Sequence, residues 1–299
     1  IYPLNIPGEL CYNSFQRNRR LCAEKRGIAM AQRVDCHAHS WFSFDARASI
    51  DEMCRGAWEH GVKVLTLTEH YDFGEPPVQE HYARRAARRM AEMRQARAEW
   101  AGKVELLCGI ELGQPAWEPE GAAALLRDND FDLVIGSVHA LPPGDDIYND
   151  CDFDSLAACD AVYDRWFQEA RRLVRWGDFD TFGHFDYPLR LMEHWVPEGS
   201  LRRWREPMLA LLRELAKSGR ALELNTSGAR RWIGRPGGEA WLLEAWRDFG
   251  GRWVTVGADA HRGADVGAGV DMAYDQLRRA GIREIAVFRD RRPCPISLD

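Results

Sequence analysis

The feature that most constrains this chain is a recurrence. Between residues 33 and 261, short β-rich apolar runs alternate with helical stretches, and run after run ends in a histidine or a carboxylate. The first is Val34-Asp-Cys-His-Ala-His-Ser40; later ones end in Glu69-His70, Glu111, His139, His184 and Asp259-Ala-His261. Residues two apart on a strand share a face, so His37 and His39 can both turn to one ion where the chain leaves its pleat. Neutral imidazole is a good ligand for zinc, iron and related ions. A lone His-x-His says little; ligand-type residues repeated at equivalent positions say much more.

The alternation is the signature of βα units around a parallel sheet. Strands are expected at 33–36, 62–68, 104–108, 132–135, 180–182, 221–225 and 252–256, with 284–288 a candidate eighth. Helices are expected at 49–60, 78–101, 118–127, 154–176, 200–218, 239–249 and 271–280. Ser49 and Glu52 form a capping-box start, and Gly61 ends the same helix. The Arg- and Ala-rich helix 78–101 is expected to carry its charge on a solvated face. Segment 141–152, with Pro142, Pro143 and Gly144, reads as a loop able to cover a site. Seven repeats without an obvious linker argue for one barrel, in which active sites gather at the C-terminal strand ends. The candidate ligands fall at those ends.

A chain of 299 residues, 45% hydrophobic, can bury the core of such a barrel. Its net charge of −6 offers no general attraction to nucleic acid or acidic membranes. No apolar run approaches the ~20 residues of a membrane span, so neither nucleic acid nor membrane is expected as a partner. The eight cysteines form no Cys-x-x-Cys pair and read as reduced thiols in a cytoplasmic protein. Residues 1–29 lack lasting periodicity and a signal peptide's apolar core. They are expected to be a disordered extension without part in the chemistry, with Met30 resembling a natural start. Oligomeric state stays open.

Six of the nine histidines (37, 39, 70, 139, 184 and 261) occupy equivalent positions in successive repeats. His60, His81 and His194 lie in helices or connections and read as structural. Asp45 alone would be a turn residue. Glu111 follows apolar positions, where a carboxylate must be paired or be a ligand. Six histidines with Asp45, Glu111 and Asp259 exceed the four ligands of one tetrahedral ion. Two or three divalent ions sharing a bridging carboxylate resolve this, and mixed His/carboxylate ligation suits zinc, manganese or iron. Such clusters support hydrolysis, because the ions make water acidic near neutral pH and hold phosphoryl oxygens.

In this order, His37-Ala-His39-Ser40, Thr68-Glu69-His70, Gly109-Ile-Glu111, Ser137-Val-His139, Gly183-His184-x-Asp186 and Asp259-Ala-His261 resemble the motifs of the PHP (polymerase and histidinol phosphatase) superfamily. The likeness spans about residues 33–270 and is strongest to the monofunctional histidinol-phosphatase branch. It implies a single-domain α/β fold, a distorted, TIM-like (β/α)7 barrel with a trinuclear centre at its strand ends. His37, His39, Glu111 and Asp259 would hold one ion, and Glu111 would bridge to a second held by His139 and His184. Asp45, His70 and His261 would hold the third.

Asn225-Thr-Ser-Gly228 matches the same branch, and Arg190 matches a basic residue that follows its Gly-His-x-Asp motif. A guanidinium can bind phosphate oxygens bidentately; Arg230, Arg231 and Arg262 are weaker candidates for that task. Asp186 is expected to orient a ligand histidine or to protonate the leaving alkoxide, and Glu69 invites the same orienting reading. The implied activity is metal-dependent hydrolysis of a small phosphorylated substrate, L-histidinol phosphate, to L-histidinol and phosphate in histidine biosynthesis. One rival is a phosphodiesterase or exonuclease acting on nucleotides, against which stands the lack of a basic-aromatic stripe. The other is a non-catalytic metal-binding regulatory barrel. Loops 71–78 and 141–152 would read the rest of the substrate.

Overall fold

The computed structural model describes residues 31–299; the extension expected at 1–29 lies outside them. Seven strands form one parallel sheet in sequential order: β1 (Arg33–Ala38), β2 (Val62–Asp72), β3 (Glu105–Gly113), β4 (Leu133–Ser137), β5 (Thr181–Phe182), β6 (Ala221–Asn225) and β7 (Val254–Gly257). The intervening helices are α1 (Ile50–Glu59), α2 (Pro76–Glu99), α3 (Pro119–Arg127), α4 (Leu156–Trp176), α5 (Arg205–Ser218) and α6 (Ala240–Asp248), and α7 (Val270–Arg279) follows β7. The strands are buried along nearly their whole length, as parallel strands must be when helices cover the sheet. At α1, Ser49 accepts from the Glu52 N–H and Glu52 returns the bond to the Ser49 N–H, the reciprocal cap that starts a helix abruptly.

The sheet closes between β1 and β7 at the end that carries the histidines. One bridge, Ala38 to Ala260, joins them, with the His39 N–H on the Ala260 carbonyl (2.8 Å) and the Asp259 N–H on the His37 carbonyl (2.7 Å). The result is one domain, a distorted, nearly closed barrel of seven parallel strands.

Residues 284–288 are extended but add no eighth barrel strand. β8 (Glu284–Arg289) pairs antiparallel with β9 (Arg292–Ser297) in a separate hairpin. Its turn is tied to the starts of three barrel strands. Arg289 pairs with Glu105 (2.6 and 2.7 Å), the Arg291 N–H bonds the Asp132 carbonyl (2.9 Å), and Arg291 Nε reaches Asp180 (3.2 Å). The hairpin thus sits at the end of the barrel opposite the histidines.

The solvated face expected for α2 has an exception. Arg89 is 1% exposed and donates to the Gly109 carbonyl (2.6 Å), with a Tyr82 hydroxyl contact at 3.2 Å. A helix cation has been drawn onto the backbone of β3, two residues before Glu111. The 141–152 segment folds as a small antiparallel pair, Ala140–Leu141 with Asp145–Asp146. Its buried Ile147 donates its N–H to the His139 carbonyl (2.9 Å), which lays the loop against the site. Among the described residues no helix is long and apolar enough to cross a membrane.

Candidate metal centre

Each predicted ligand reaches the same end of the barrel. His37 lies within β1 and His39 follows it; His70 and Glu111 lie within β2 and β3. His139, His184 and Asp259 stand two residues beyond β4, β5 and β7. The chain leaves the pleat there, and at two of them it turns sharply: φ is +21° at His184 and +54° at Asp259. Such backbone is costly for a residue with a Cβ and persists only where its surroundings hold it. Here the His184 N–H is fixed on Glu223 Oε2 (2.6 Å) and the Asp259 N–H on β1.

Glu111, fully buried, is the hub. Its Oε1 lies 2.7 Å from His184 Nε2 and 3.1 Å from His139 Nε2. Its Oε2 lies 3.1 Å from His37 Nε2, 3.1 Å from His70 Nδ1 and 3.5 Å from His39 Nε2. Asp259 Oδ1 is 3.5 Å from His39 Nε2, and Asp45 Oδ2 is 2.9 Å from His261 Nε2 and 3.6 Å from His70 Nε2. Asp45 and His261 are about a third exposed, whereas His37, His39 and Glu111 are sealed. The centre therefore opens to solvent on the Asp45–His261 side.

The outer ring nitrogens decide what the inner ones can do. His37 Nδ1 is held by Glu223 Oε1 (2.7 Å), His139 Nδ1 by Asp72 Oδ1 (3.1 Å), and His261 Nδ1 by the Asp259 carbonyl (3.1 Å). His39 Nδ1 meets Ser43 Oγ (3.2 Å), whose own proton goes to Glu69 Oε2 (2.7 Å). Each acceptor fixes a proton on Nδ1 and leaves the Nε2 lone pair facing inward. Those lone pairs confront carboxylate oxygens, and His139 Nε2 also lies 3.2 Å from His184 Nε2. His39 Nε2 and His70 Nδ1 are buried without a hydrogen-bond partner. Lone pairs crowded against lone pairs need cations between them, and divalent ions fit this donor set. Four triads bring their ligand atoms within 4.8 Å: His37–His39–Glu111, Glu111–His139–His184, His39–His70–His261 and His70–Asp72–His139.

Without cations, protons take their place. Burial alone would lower every imidazole's pKa, but Glu223 and Glu111 hold His37 well above the usual value, and Asp72 and Glu111 do the same for His139. Glu111 and Asp45 overcome burial to raise His70 to about 9. His39 goes the other way, to about 3, because burial is joined by His70 and His261. Glu111 is buried, yet His37, His139 and His70 keep it well below the ordinary carboxylate range.

The phosphate-binding candidates separate. Arg190, nine-tenths buried, puts Nη1 on Asp259 Oδ2 (3.0 Å), lies 5.0 Å from the centre of the Tyr187 ring, and leaves Nη2 without a partner. Arg230 instead donates to the Ala258 and Asp259 carbonyls (2.7 and 3.2 Å), and Arg262 pairs with Asp265 (2.7 Å). Arg231 lies close enough to Arg190 for burial and that neighbouring charge to lower its pKa. Asp186 packs against Gly237, whose added Cβ would meet Asp186 Oδ2 at 2.6 Å, and its charge bears on Arg190. The outer nitrogens of His37, His139, His39 and His261 are held by Glu223, Asp72, Ser43 and the Asp259 carbonyl. Glu69 acts one bond further out, through Ser43.

Glu223 and Asp72 escaped the sequence reading. Glu223 is a charge in the middle of a five-residue buried strand, Ala-Leu-Glu-Leu-Asn, which was itself a signal. Asp72 sits two residues after His70 on a strand that runs to Asp72, four residues beyond its expected end at 68. Tyr187, whose ring centre lies 4.8 Å from that of His184 and 5.3 Å from that of His139, carried no pattern to find it by.

The PHP domain family matches residues 35–227. A probable histidinol-phosphatase of Thermotoga maritima is 26% identical over 85% of this chain and 95% of its own length. The histidinol-phosphatase of Lactococcus lactis subsp. lactis is 26% identical over 86% of this chain and 94% of its own. Among solved structures, histidinol phosphate phosphatase from Lactococcus lactis, complexed with zinc, L-histidinol and phosphate, superposes with a TM-score of 0.76. It shares 24% identity, covering 88% of this chain and 99% of that one. A putative histidinol phosphatase from Listeria monocytogenes superposes with a TM-score of 0.68 at 15% identity, over 79% of this chain and 98% of that one.

Proposed function

The chain belongs to the PHP domain family, and on that premise we propose that it is a metal-dependent phosphomonoester hydrolase that converts L-histidinol phosphate and water to L-histidinol and phosphate, a step of histidine biosynthesis. The observation that carries this reading is the ring of imidazoles around Glu111, anchored from outside by Glu223, Asp72 and Ser43, with Arg190 at its border. His37, His39, Glu111 and Asp259 would hold one ion, Glu111, His139 and His184 a second, and Asp45, His70 and His261 a third. Zinc, manganese or iron in these places would acidify water and polarise a phosphoryl group.

The chain's own groups supply the rest. Arg190 is oriented by Asp259, and its unpartnered Nη2 takes a phosphate oxygen as negative charge builds on the phosphoryl group. Tyr187 walls the His139–His184 side. Asp186, beside Arg190, adds negative charge that favours the guanidinium and is the candidate proton donor to the leaving alkoxide. The six described cysteines are free thiols, in keeping with a reducing, cytoplasmic setting.

The test is steady-state phosphate release from L-histidinol phosphate by manganese- or zinc-loaded protein, beside other phosphomonoesters and a dinucleotide. Preferential turnover that disappears in His139→Ala supports the reading. Turnover of the dinucleotide alone moves the enzyme to phosphodiester chemistry, and metal binding without any hydrolysis leaves a regulatory barrel.

A further inference from the structure

At the barrel seam, one fully buried carboxylate does work that a strand ladder does elsewhere in the sheet. Asp35 Oδ1 accepts the Ala258 N–H (2.8 Å) and the His37 N–H (3.2 Å), and Oδ2 accepts the Gly267 N–H (2.8 Å). Two residues earlier on β1, Arg33 Nη2 grips the other side of residue 267, donating to its carbonyl at 2.9 Å, while Arg33 Nη1 pairs with Asp271 at 2.6 Å. Residues 258–267 carry Asp259 and His261, and β1 carries His37 and His39. Besides these ties, β1 meets the start of this loop through one bridge, Ala38 to Ala260, with its two backbone hydrogen bonds.

We propose that Asp35 is a positioning residue: with Arg33 it clasps the 258–267 loop to β1 and so sets the distance between the two halves of the metal centre. This rests on reading that centre as a metal site. It adds that a residue which holds no ion determines how well ions are held.

The test is metal binding by full-length Asp35→Asn and Arg33→Met proteins, with cobalt(II) as probe. Asn keeps one acceptor oxygen but turns an NH2 toward a backbone N–H, and Met releases the Gly267 carbonyl without touching any ligand. Tyr274→Phe is the control. Its hydroxyl also anchors β1, accepting the Val34 N–H (3.1 Å) and donating to the Gln32 carbonyl (2.9 Å), with no tie to the loop. The expected result is roughly ten- to a hundredfold weaker cobalt binding in Asp35→Asn, with a changed visible spectrum. A smaller change in the same direction is expected in Arg33→Met and none in Tyr274→Phe. Folded Asp35→Asn and Arg33→Met proteins with the wild-type affinity and spectrum, losing only thermal stability, would overturn the proposal. If Asp35→Asn does not fold, Arg33→Met decides. Absence of cobalt binding by the wild-type protein would instead remove the site reading on which the proposal stands.

Discussion

Glu223 Oε1 lies 2.7 Å from His37 Nδ1, while the other oxygen of the same carboxylate holds the backbone N–H of His184 at 2.6 Å. One side chain on β6 therefore fixes a proposed ligand from β1 and another from the β5 loop, placing two proposed ion sites in one frame. In Glu223→Gln, the amide nitrogen must face either a ring N–H or a backbone N–H, so one of the two bonds is lost. Metal affinity is expected to fall about 10- to 100-fold. Titration with zinc or manganese, monitored beside phosphate release, checks this; unchanged affinity would remove Glu223 from the site.

The metal-free centre should store protons that ions displace. His70 is raised from 6.5 to about 9 by Glu111 and Asp45 against burial. Around neutral pH it is charged without metal and must lose its proton to bind one. Calorimetry in buffers of different ionisation enthalpy should show net proton release on metal binding, and affinity should strengthen as pH rises toward 9. The stability of the metal-free protein should run the other way. A raised imidazole pKa contributes stability that is fully present below 6.5 and lost as pH climbs through about 9, on the order of 3 kcal/mol for His70. Melting temperatures of metal-free protein should drop across that window, and those of loaded protein should drop less.

Arg190 offers a cleaner separation of binding from scaffold. Arg190→Met removes the proposed phosphate donor, and kcat/KM is expected to fall roughly 100- to 1,000-fold, the usual cost of losing a donor to developing charge. Inorganic phosphate should inhibit the variant much less than the wild type. Arg190→Lys keeps the charge but not the fork, and should recover only part of the loss. Equal inhibition of all three proteins by phosphate would exclude Arg190 from the substrate site.

Gly257 is required by contact, not by backbone conformation. An added Cβ would overlap His37 Cβ and come within 2.7 Å of Glu223 Oε1. Gly257→Ala should destabilise the fold by about 1–3 kcal/mol, as overpacking of a tight interior does, and should also displace His37. A lowered melting temperature together with a lower metal content is expected. A normal metal content would show that the barrel relaxes elsewhere.

The convergence of the candidate ligands was legible in the amino-acid order because it is written locally. Each βα unit turns from an apolar strand to a short loop, and a histidine or carboxylate at that turn stands out against what precedes it. Parallel pairing then places equivalent turns at one end of the barrel, so His37, Glu111, His139 and Asp259 converge from nothing more than periodicity and order. What acts on those ligands was set by tertiary structure alone. Glu223 and Asp72 orient imidazoles 186 and 67 positions away in sequence, and Asp35 joins the first strand to a loop 232 positions later. Arg89 leaves a polar helix face for two strand carbonyls, and the last two strands become a separate hairpin because the seven-stranded barrel closes on itself through β1 and β7. The physical reason is common to all of these. A buried polar group takes whichever partner the packed neighbours present, and that neighbour is chosen by barrel closure, which no local stretch of sequence encodes.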